Sequence, residues 1–185
     1  MKYVINDDRL FHLLRHFESI DNNCFNKCTQ NGYTNEQING ALKASGSLFF
    51  SSFCTSPCQL PIVFSSLKPV TTKLQENGFY AIKFISIDYL GTNGLIPIST
   101  LNDLEKKNIY LQKRGGIEIN VINGIEAQKT HEAHIIAKRE LNTDKYEIIT
   151  CFPGSLSPPF PNYIKDSQER ENSEKFWKKH VLVEQ

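Results

Sequence analysis

The sequence predicts an α+β fold, in which N-terminal helices pack on a mainly antiparallel β-sheet and a helix lies near the C-terminus. Apolar residues recur at helical spacing in the first 77 positions, strand-like alternation begins after Gly78, and a second helical pattern follows residue 165. A chain of 185 residues suits one hydrophobic core better than two. We therefore expect a single domain, with a helical part over about 1–77, a sheet part over about 78–161 and a closing helix over about 166–181.

Two helix signals stand out in the N-terminal part of the chain. Apolar residues at helical spacing predict a helix over 8–20: Leu10, Leu13, Leu14 and Phe17. Thr34 and Gln37 have the spacing of a capping box, which predicts a second helix that ends at Gly46. The polar stretch 21–32 is predicted to be a loop, the apolar run 48–54 a strand, and 65–77 a third helix.

The part of the chain after Gly78 is rich in β-branched and aromatic residues. Strands are predicted at 79–89, 96–98, 117–122, 131–137 and 146–152. Asn123 and Gly124 form a turn signal, and 141–145 is short enough to join the last two strands as a hairpin. Four prolines exclude 153–161 from the interior of a sheet. In the closing helix, Phe176 and Trp177 are the predicted anchors.

Charge and hydropathy limit the classes of function. The net charge is +1, with 21 basic and 20 acidic residues, so any contact with nucleic acid must be local. No apolar run reaches the roughly 18 residues that span a bilayer, so we expect no membrane partner. Asp7, Asp8 and Arg9 interrupt the N-terminus in a way that a secretory signal does not allow. The expected location is cytoplasmic, or exported by a route that needs no cleavable signal.

The candidate functional site lies on the predicted hairpin. Its first strand carries His131, His134, Lys138 and Arg139, and its second carries Thr150 and Phe152. Because strand side chains alternate, His131 and Arg139 share the more apolar face, which we expect to point to the core. His134 and Lys138 share the polar face. The register decides which histidine lies on the face of Thr150, and the sequence leaves that open.

These residue types match the needs of RNA cleavage without a metal ion. A histidine can act as base or acid near neutral pH, Lys138 or Arg139 can hold phosphate oxygens, and Thr150 can donate a hydrogen bond. Arg114 precedes Gly115 and Gly116, where the backbone can approach a phosphate, although such a pair more often forms a simple turn. No cofactor is expected.

The His/Arg-bearing strand, the hairpin and the run Ile149–Gly154 followed by Pro158 resemble the barnase–EndoU–colicin–RelE group of ribonuclease toxins. The resemblance covers roughly the last third of the chain by motif. It implies an endoribonuclease whose catalytic residues are His131, His134, Arg139 and Thr150. It further implies RNA contacts by Lys138, Arg114 and Phe152, and an immunity or antitoxin protein as a partner. Phe152 stands where some members of the group have tyrosine, which removes a hydroxyl group.

A different class of function fits the same segment. The proline-rich stretch 153–161 is typical of an extended peptide that binds a protein partner, which would make the chain a non-catalytic interaction module. In that case His131 and His134 are ordinary surface residues of a strand. The histidines of the first helix, His12 and His16, are expected to be solvated neighbours of its apolar face.

Four of the five cysteines form two Cys-x-x-x-Cys units, which opens a question about metal binding. Cys24, Cys28, Cys54 and Cys58 can supply the four thiolates of a tetrahedral zinc site. Alternatively, the first two lie in a loop and the other two are small buried hydrophobic residues. We expect no bound metal, reduced thiols, and an inert Cys151, since burial raises a thiol pKa.

Overall fold

The computed structural model describes residues 1–75 and 78–184 of the chain. The helices in these residues are α1 (Asp7–Leu13), α2 (Asn22–Gln30), α3 (Asn35–Ala41), α4 (Leu60–Ser65), α5 (Asp103–Lys107) and α6 (Ser167–Lys179). The strands are β1 (Lys2–Val4), β2 (Thr71–Leu74), β3 (Tyr80–Ile85), β4 (Gly91–Asn93), β5 (Leu95–Pro97), β6 (Tyr110–Arg114), β7 (Ile117–Asn123), β8 (Gln128–Thr130), β9 (Glu132–Arg139), β10 (Lys145–Pro153) and β11 (His180–Glu184).

The strands form two main sheets and a small ribbon. The first sheet has the order β1-β10-β9-β3-β2, the second has the order β5-β11-β7-β6, and β4 pairs with β8. The pairs β1/β10 and β11/β7 are parallel, and the other strand pairs are antiparallel. The predicted α+β fold with a mainly antiparallel sheet and a helix near the C-terminus is therefore confirmed.

The N-terminal helices cover one face of the first sheet. Leu13 and Phe17 from the first helical segment and Phe64 from α4 are fully buried there against Ile82 and Phe84 of β3. Phe64 and Phe84 have ring centroids 4.7 Å apart. A second group of apolar side chains joins α1, α2 and α3 to one another: Leu10, Leu14, Cys24, Cys28 and Ile38. The opposite, outer face of the first sheet is therefore not covered by these helices.

Several predicted elements differ in the N-terminal part. The predicted loop 21–32 contains α2, because Asp21 accepts a hydrogen bond from the Cys24 backbone N–H and caps the helix. The predicted strand 48–54 is a turn, with one isolated bridge between Phe49 and Gly91. The helix after the capping box is present, but it ends at Ala41 rather than at Gly46.

The predicted helix 65–77 is wrong in the residues that the structure describes. Residues 71–74 form β2, an edge strand whose register pairs Thr71 with Lys83 and Lys73 with Ala81. Tertiary pairing with β3 outweighs the helical spacing here, and the β-branched Thr71 and Thr72 favour it. Positions 76 and 77 of that prediction lie outside the described residues.

The predicted closing helix is correct in its body and wrong at its end. Helix α6 stops at Lys179, and the chain continues as β11 in the middle of the second sheet. Val181 and Val183 are buried in that sheet. The C-terminal residues are therefore a structural part of the core rather than the last turn of a helix.

Among the described residues, even the longest helix, the 13-residue α6, is too short and too polar to span a bilayer.

The ring of His16 is buried, contrary to the expectation of a solvated side chain. It is 8% exposed, and its Nδ1 lies 2.7 Å from the carbonyl oxygen of Ser47, to which it donates a hydrogen bond. Burial lowers the pKa of His16 from 6.5 to about 3, and the positive charge of Arg15 acts in the same direction. This histidine is therefore neutral in the folded protein at ordinary pH.

Removal of the Phe84 ring tests the packing of the first sheet. We expect Phe84→Ala to lower the free energy of unfolding by about 3–5 kcal/mol, because it leaves a cavity where the ring contacts Phe64 and Tyr3. Ile87→Ala is the control, since Ile87 is 96% exposed, and should change stability by less than about 0.5 kcal/mol. Urea denaturation measures both. Equal effects of the two variants would contradict the assignment of this core.

His16 also predicts a loss of stability in acid. The unfolded chain binds a proton at His16 near pH 6.5, whereas the folded chain resists it until about pH 3. Above pH 6.5 the ring is neutral in both states and does not affect stability. As the pH falls below 6.5, protonation of the unfolded chain lowers the free energy of unfolding, by about 3 kcal/mol at pH 4. His16→Gln, which removes the titrating group, should flatten the pH dependence of the urea midpoint between pH 7 and pH 4. An unchanged slope in that variant would show that another group causes the effect.

Candidate functional site

A groove runs over the outer face of the first sheet. It has a volume of about 830 Å³ and lies between that face, the proline-rich segment and α6. Side chains of several chemical kinds line it: Lys73, Lys83, His134, Pro159, Tyr163 and Phe176. It therefore combines cations, a histidine and an apolar wall in a cavity of the size that holds a small ligand.

The pleat of three adjacent strands brings the polar side chains of the groove together. Thr71 of β2 lies opposite Lys83 of β3, and Lys83 lies opposite His134 of β9. Residues directly opposite one another in paired strands project from the same face. The three strands thus place threonine, lysine and histidine side by side on the outer face of the sheet.

The other wall is built by the proline-rich segment and α6. The Ser173 hydroxyl on α6 donates a hydrogen bond to the Pro159 carbonyl at 2.6 Å. The Phe160 ring lies 4.9 Å from that of Trp177, and Pro161 is buried. The segment 153–161 is thus fastened to its own chain, and it forms one side of the groove.

His134 is a buried, hydrogen-bonded residue on the sheet side of the groove. It is 5% exposed, and its Nδ1 donates a hydrogen bond to the Gly154 carbonyl at 2.8 Å. A carbonyl can only accept, so Nδ1 carries the proton and Nε2 keeps its lone pair. Among the described residues, Nε2 has no hydrogen-bond partner. Burial lowers the pKa of His134, with a smaller contribution in the same direction from Lys83, so the neutral ring is the favoured form.

Gly154 fixes the position of that carbonyl. Its φ of +98° belongs to the region that favours glycine, and a Cβ there would lie 2.5 Å from Oδ1 of Asn93. Its backbone N–H donates to the Glu132 carbonyl at 2.8 Å. The residue that follows β10 is thereby tied to β9 at the Glu132 carbonyl and at the His134 ring.

The two lysines of the groove differ in their surroundings. Nζ of Lys83 lies 2.5 Å from a carboxylate oxygen of Glu132. Lys73 is exposed, and within residues 1–75 and 78–184 it has no ion-pair partner. Lys73 is therefore free to bind an anion, whereas Lys83 would share its charge between Glu132 and a ligand.

A β-bulge settles the question of which histidine shares the face of Thr150. The register places Ile148 opposite Ala137 and Thr150 opposite Ile136, so Ile149 is the extra residue. As a result, Thr150 and Phe152 lie on the outer face with His134. The rings of Phe152 and His134 stack at 6.0 Å.

His131 lies apart from this site. It precedes β9, is exposed, and stacks on the Tyr89 ring with centroids 4.1 Å apart. Nζ of Lys129 lies 5.9 Å from the same tyrosine ring. The two histidines of the hairpin therefore do not face each other across one site.

The predicted cations are also dispersed. Arg139 lies at the hairpin end of β9, where its Nε donates to the Thr143 carbonyl, and Lys138 is exposed one residue before it. Arg139 follows His134 by five positions along the strand, a distance of roughly 17 Å. Arg114 lies in the second sheet and forms an ion pair with Glu184, and the glycines after it form the turn between β6 and β7.

Sequence reasoning did not identify the two lysines of the groove. The sequence predicts a helix at Lys73, and Lys83 is one polar residue in an alternating strand. The alternation of β3, in which Ala81, Lys83 and Ile85 share a face, was the available signal. Only the pairing of β3 with β9 places that lysine beside His134.

The cysteines do not form the four-thiolate site. Cys54 lies in the core of the first sheet and bonds the Ser56 carbonyl, whereas Cys24 and Cys28 lie among the N-terminal helices. Within the described residues, no group of histidine, cysteine and carboxylate side chains has an arrangement that could hold a metal ion. Burial raises the pKa of the Cys151 thiol, as expected for an inert residue.

The sequence matches no protein-family model, and no curated protein matches it.

The tautomer of His134 is a direct test of this geometry. We expect long-range ¹H–¹⁵N NMR spectra at neutral pH to show a neutral ring with the proton on Nδ1, because the Gly154 carbonyl needs a donor. The midpoint of its titration should lie below 6.5. A signal from the Nε2–H tautomer would contradict the hydrogen bond, and a midpoint above 6.5 would contradict the burial.

Proposed function

We propose that the groove binds RNA and that the chain is a metal-independent endoribonuclease. The observation that carries this proposal is the state of His134, whose ring is held by Gly154 in the form that leaves Nε2 free, in a groove with two lysines. A neutral histidine at neutral pH can accept a proton, which is the first need of RNA cleavage by the 2′-hydroxyl.

The proposed reaction uses three groups of the groove. His134 Nε2 removes the proton from the 2′-OH, and the 2′-oxygen attacks the adjacent phosphorus. Lys73 and Lys83 offset the negative charge that develops on the phosphoryl oxygens. The bond from phosphorus to the 5′-oxygen breaks, and water that enters the open groove protonates the leaving oxygen. The products are a 2′,3′-cyclic phosphate and a 5′-hydroxyl.

The shape of the groove favours an unpaired strand. Phe176, Tyr163 and the prolines offer apolar surface on which a base can pack, and the lysines lie on the opposite, sheet side. Single-stranded nucleic acid is commonly bound by such a combination of stacking surface and cations. A double helix would need a wider and more basic surface than this nearly neutral chain provides.

The interaction module remains the alternative from another class. In the structure, however, the segment 153–161 uses Pro159, Phe160 and Pro161 in contacts with its own chain. A peptide partner would have to bind the groove rather than be bound as the free segment. An immunity or antitoxin protein is likewise a proposal that depends on cleavage, and it would act by covering the groove.

Cleavage of a labelled single-stranded RNA in excess chelator tests the proposal. We expect a 2′,3′-cyclic phosphate product, and His134→Ala should reduce the rate by roughly 100-fold or more. A substrate with 2′-deoxyribose at the cleaved position should not react, because the nucleophile is missing. Absence of cleavage between pH 5 and pH 9, with a folded protein, would overturn the proposal in favour of the interaction module.

Lysine variants form a matched pair for the same assay. Lys73→Ala should lower kcat/KM several-fold, since it removes a cation that is free to bind the phosphate and to offset its developing charge. Lys113→Ala, an exposed lysine on β6 of the second sheet, should leave the kinetics unchanged. His131→Ala tests the other histidine that the sequence predicts to be catalytic, which lies beside Tyr89 and outside the groove. Loss of activity in His131→Ala with retention in His134→Ala would move the site to the Tyr89 cluster.

A further inference from the structure

Three cysteines lie together at a place remote from the groove. Helix α2 packs on a short 3₁₀ turn, Pro57–Gln59, and this contact brings Cys58 against Cys24 and Cys28. Cys24 and Cys28 are buried and one helical turn apart, whereas Cys58 is partly exposed. The cluster therefore contains one thiol that solvent can reach and two that it cannot.

The thiols are in direct contact. The Cys58 side chain packs against the cluster that contains Cys24 and Cys28, and Cys24 and Cys58 shift each other's pKa in opposite directions. Asp21 holds the two segments together, because one of its carboxylate oxygens caps α2 and the other accepts a hydrogen bond from the Ser56 hydroxyl at 2.6 Å. Cys24 and Cys58 are thus clamped as neighbours by groups that are not cysteines.

The surroundings divide the roles of the two sulfurs. A hydrogen bond from Cys24 lowers the pKa of Cys58, and the positive charge of Lys27 acts in the same direction. The same hydrogen bond and burial raise the pKa of Cys24. Thiolates rather than thiols attack disulfides, so Cys58 is the reactive member and Cys24 is the second one.

We propose that Cys58 and Cys24 form a redox-active dithiol that exchanges with small disulfides. The Cys58 thiolate attacks one sulfur of an external disulfide such as oxidised glutathione, and one glutathione thiolate leaves. Cys24 then attacks the Cys58 sulfur, the bond from Cys58 to glutathione breaks, and the proton of Cys24 passes to the second glutathione thiolate as it leaves. The protein loses two electrons and gains the Cys24–Cys58 disulfide, and the external disulfide becomes two thiols.

The other cysteines separate this site from general oxidation. Cys54 is buried in the core of the first sheet, and burial raises its pKa to about 11. Cys151 is fully buried in the same core. Neither supplies an accessible thiolate. The dithiol is independent of the proposed RNA cleavage, because none of its residues lines the groove.

The test is incubation of the full chain with oxidised glutathione, followed by alkylation and peptide mass spectrometry. We expect a Cys24–Cys58 disulfide in the wild type. Cys24→Ser should stop at one glutathione on Cys58, because the resolving thiol is missing. Cys58→Ser should react at least about tenfold more slowly, and Cys151→Ser should react like the wild type. Far-UV circular dichroism checks that each variant is folded.

The wild-type protein alone gives a second test, which does not depend on the folding of any variant. Limited alkylation at neutral pH should label Cys58 before the other four cysteines. Three results would overturn the proposal. They are first labelling at Cys54 or Cys151, a disulfide that joins other cysteines, and no disulfide after incubation with excess oxidised glutathione. Cleavage of RNA or its absence leaves this result unaffected.

Discussion

The pairing of β9 with its two neighbours is the constraint on which the rest of the structure depends. Ala133, Ile135 and Ala137 are fully buried on one face of this strand, where the N-terminal helices pack. A shift of one residue in the register would turn these side chains outward and His134 inward. The core of the first sheet and the geometry of the groove are therefore set by the same hydrogen bonds.

The bulge at Ile149 allows β10 to bury side chains on both sides of it. Ile148 before the bulge and Cys151 after it both lie in the core, although in a regular strand residues three positions apart point to opposite faces. The extra residue restores the alternation and leaves Thr150 and Phe152 on the groove face. Burial of apolar area on one side of the strand thus decides which polar residues accompany His134 on the other.

Sequence reasoning reached the fold class and the hairpin but not the whole site. Alternation in 131–137 and 146–152 predicts both strands. For the first strand it also predicts the buried face at Ala133, Ile135 and Ala137, whereas His131 and Arg139, expected on that face, are exposed. It failed at β2 and β11, because pairing with other strands decides their structure: β3 for β2, and β5 and β7 for β11. Lys73 and Lys83 were missed for the same reason, since exposed lysines acquire meaning only from what the fold places next to them. Arg139 and Lys138 do not join the site because residues four or five positions apart on an extended strand lie more than about 10 Å apart.

The position of β11 has a consequence for the order in which the protein can assemble. This strand lies between β5 and β7 and pairs with both. Since β5 and β7 are synthesised first, one edge of each stays unpaired until residues 180–184 have been made. Residues of β6 and β7 can pair with each other before β11 is made, but the inner edge of β7 then stays open. Open edges pair readily with other chains, which makes the nascent protein vulnerable to aggregation until the last strand inserts. The first sheet differs in this respect, because all of its strands precede residue 154 and its pairing does not depend on β11.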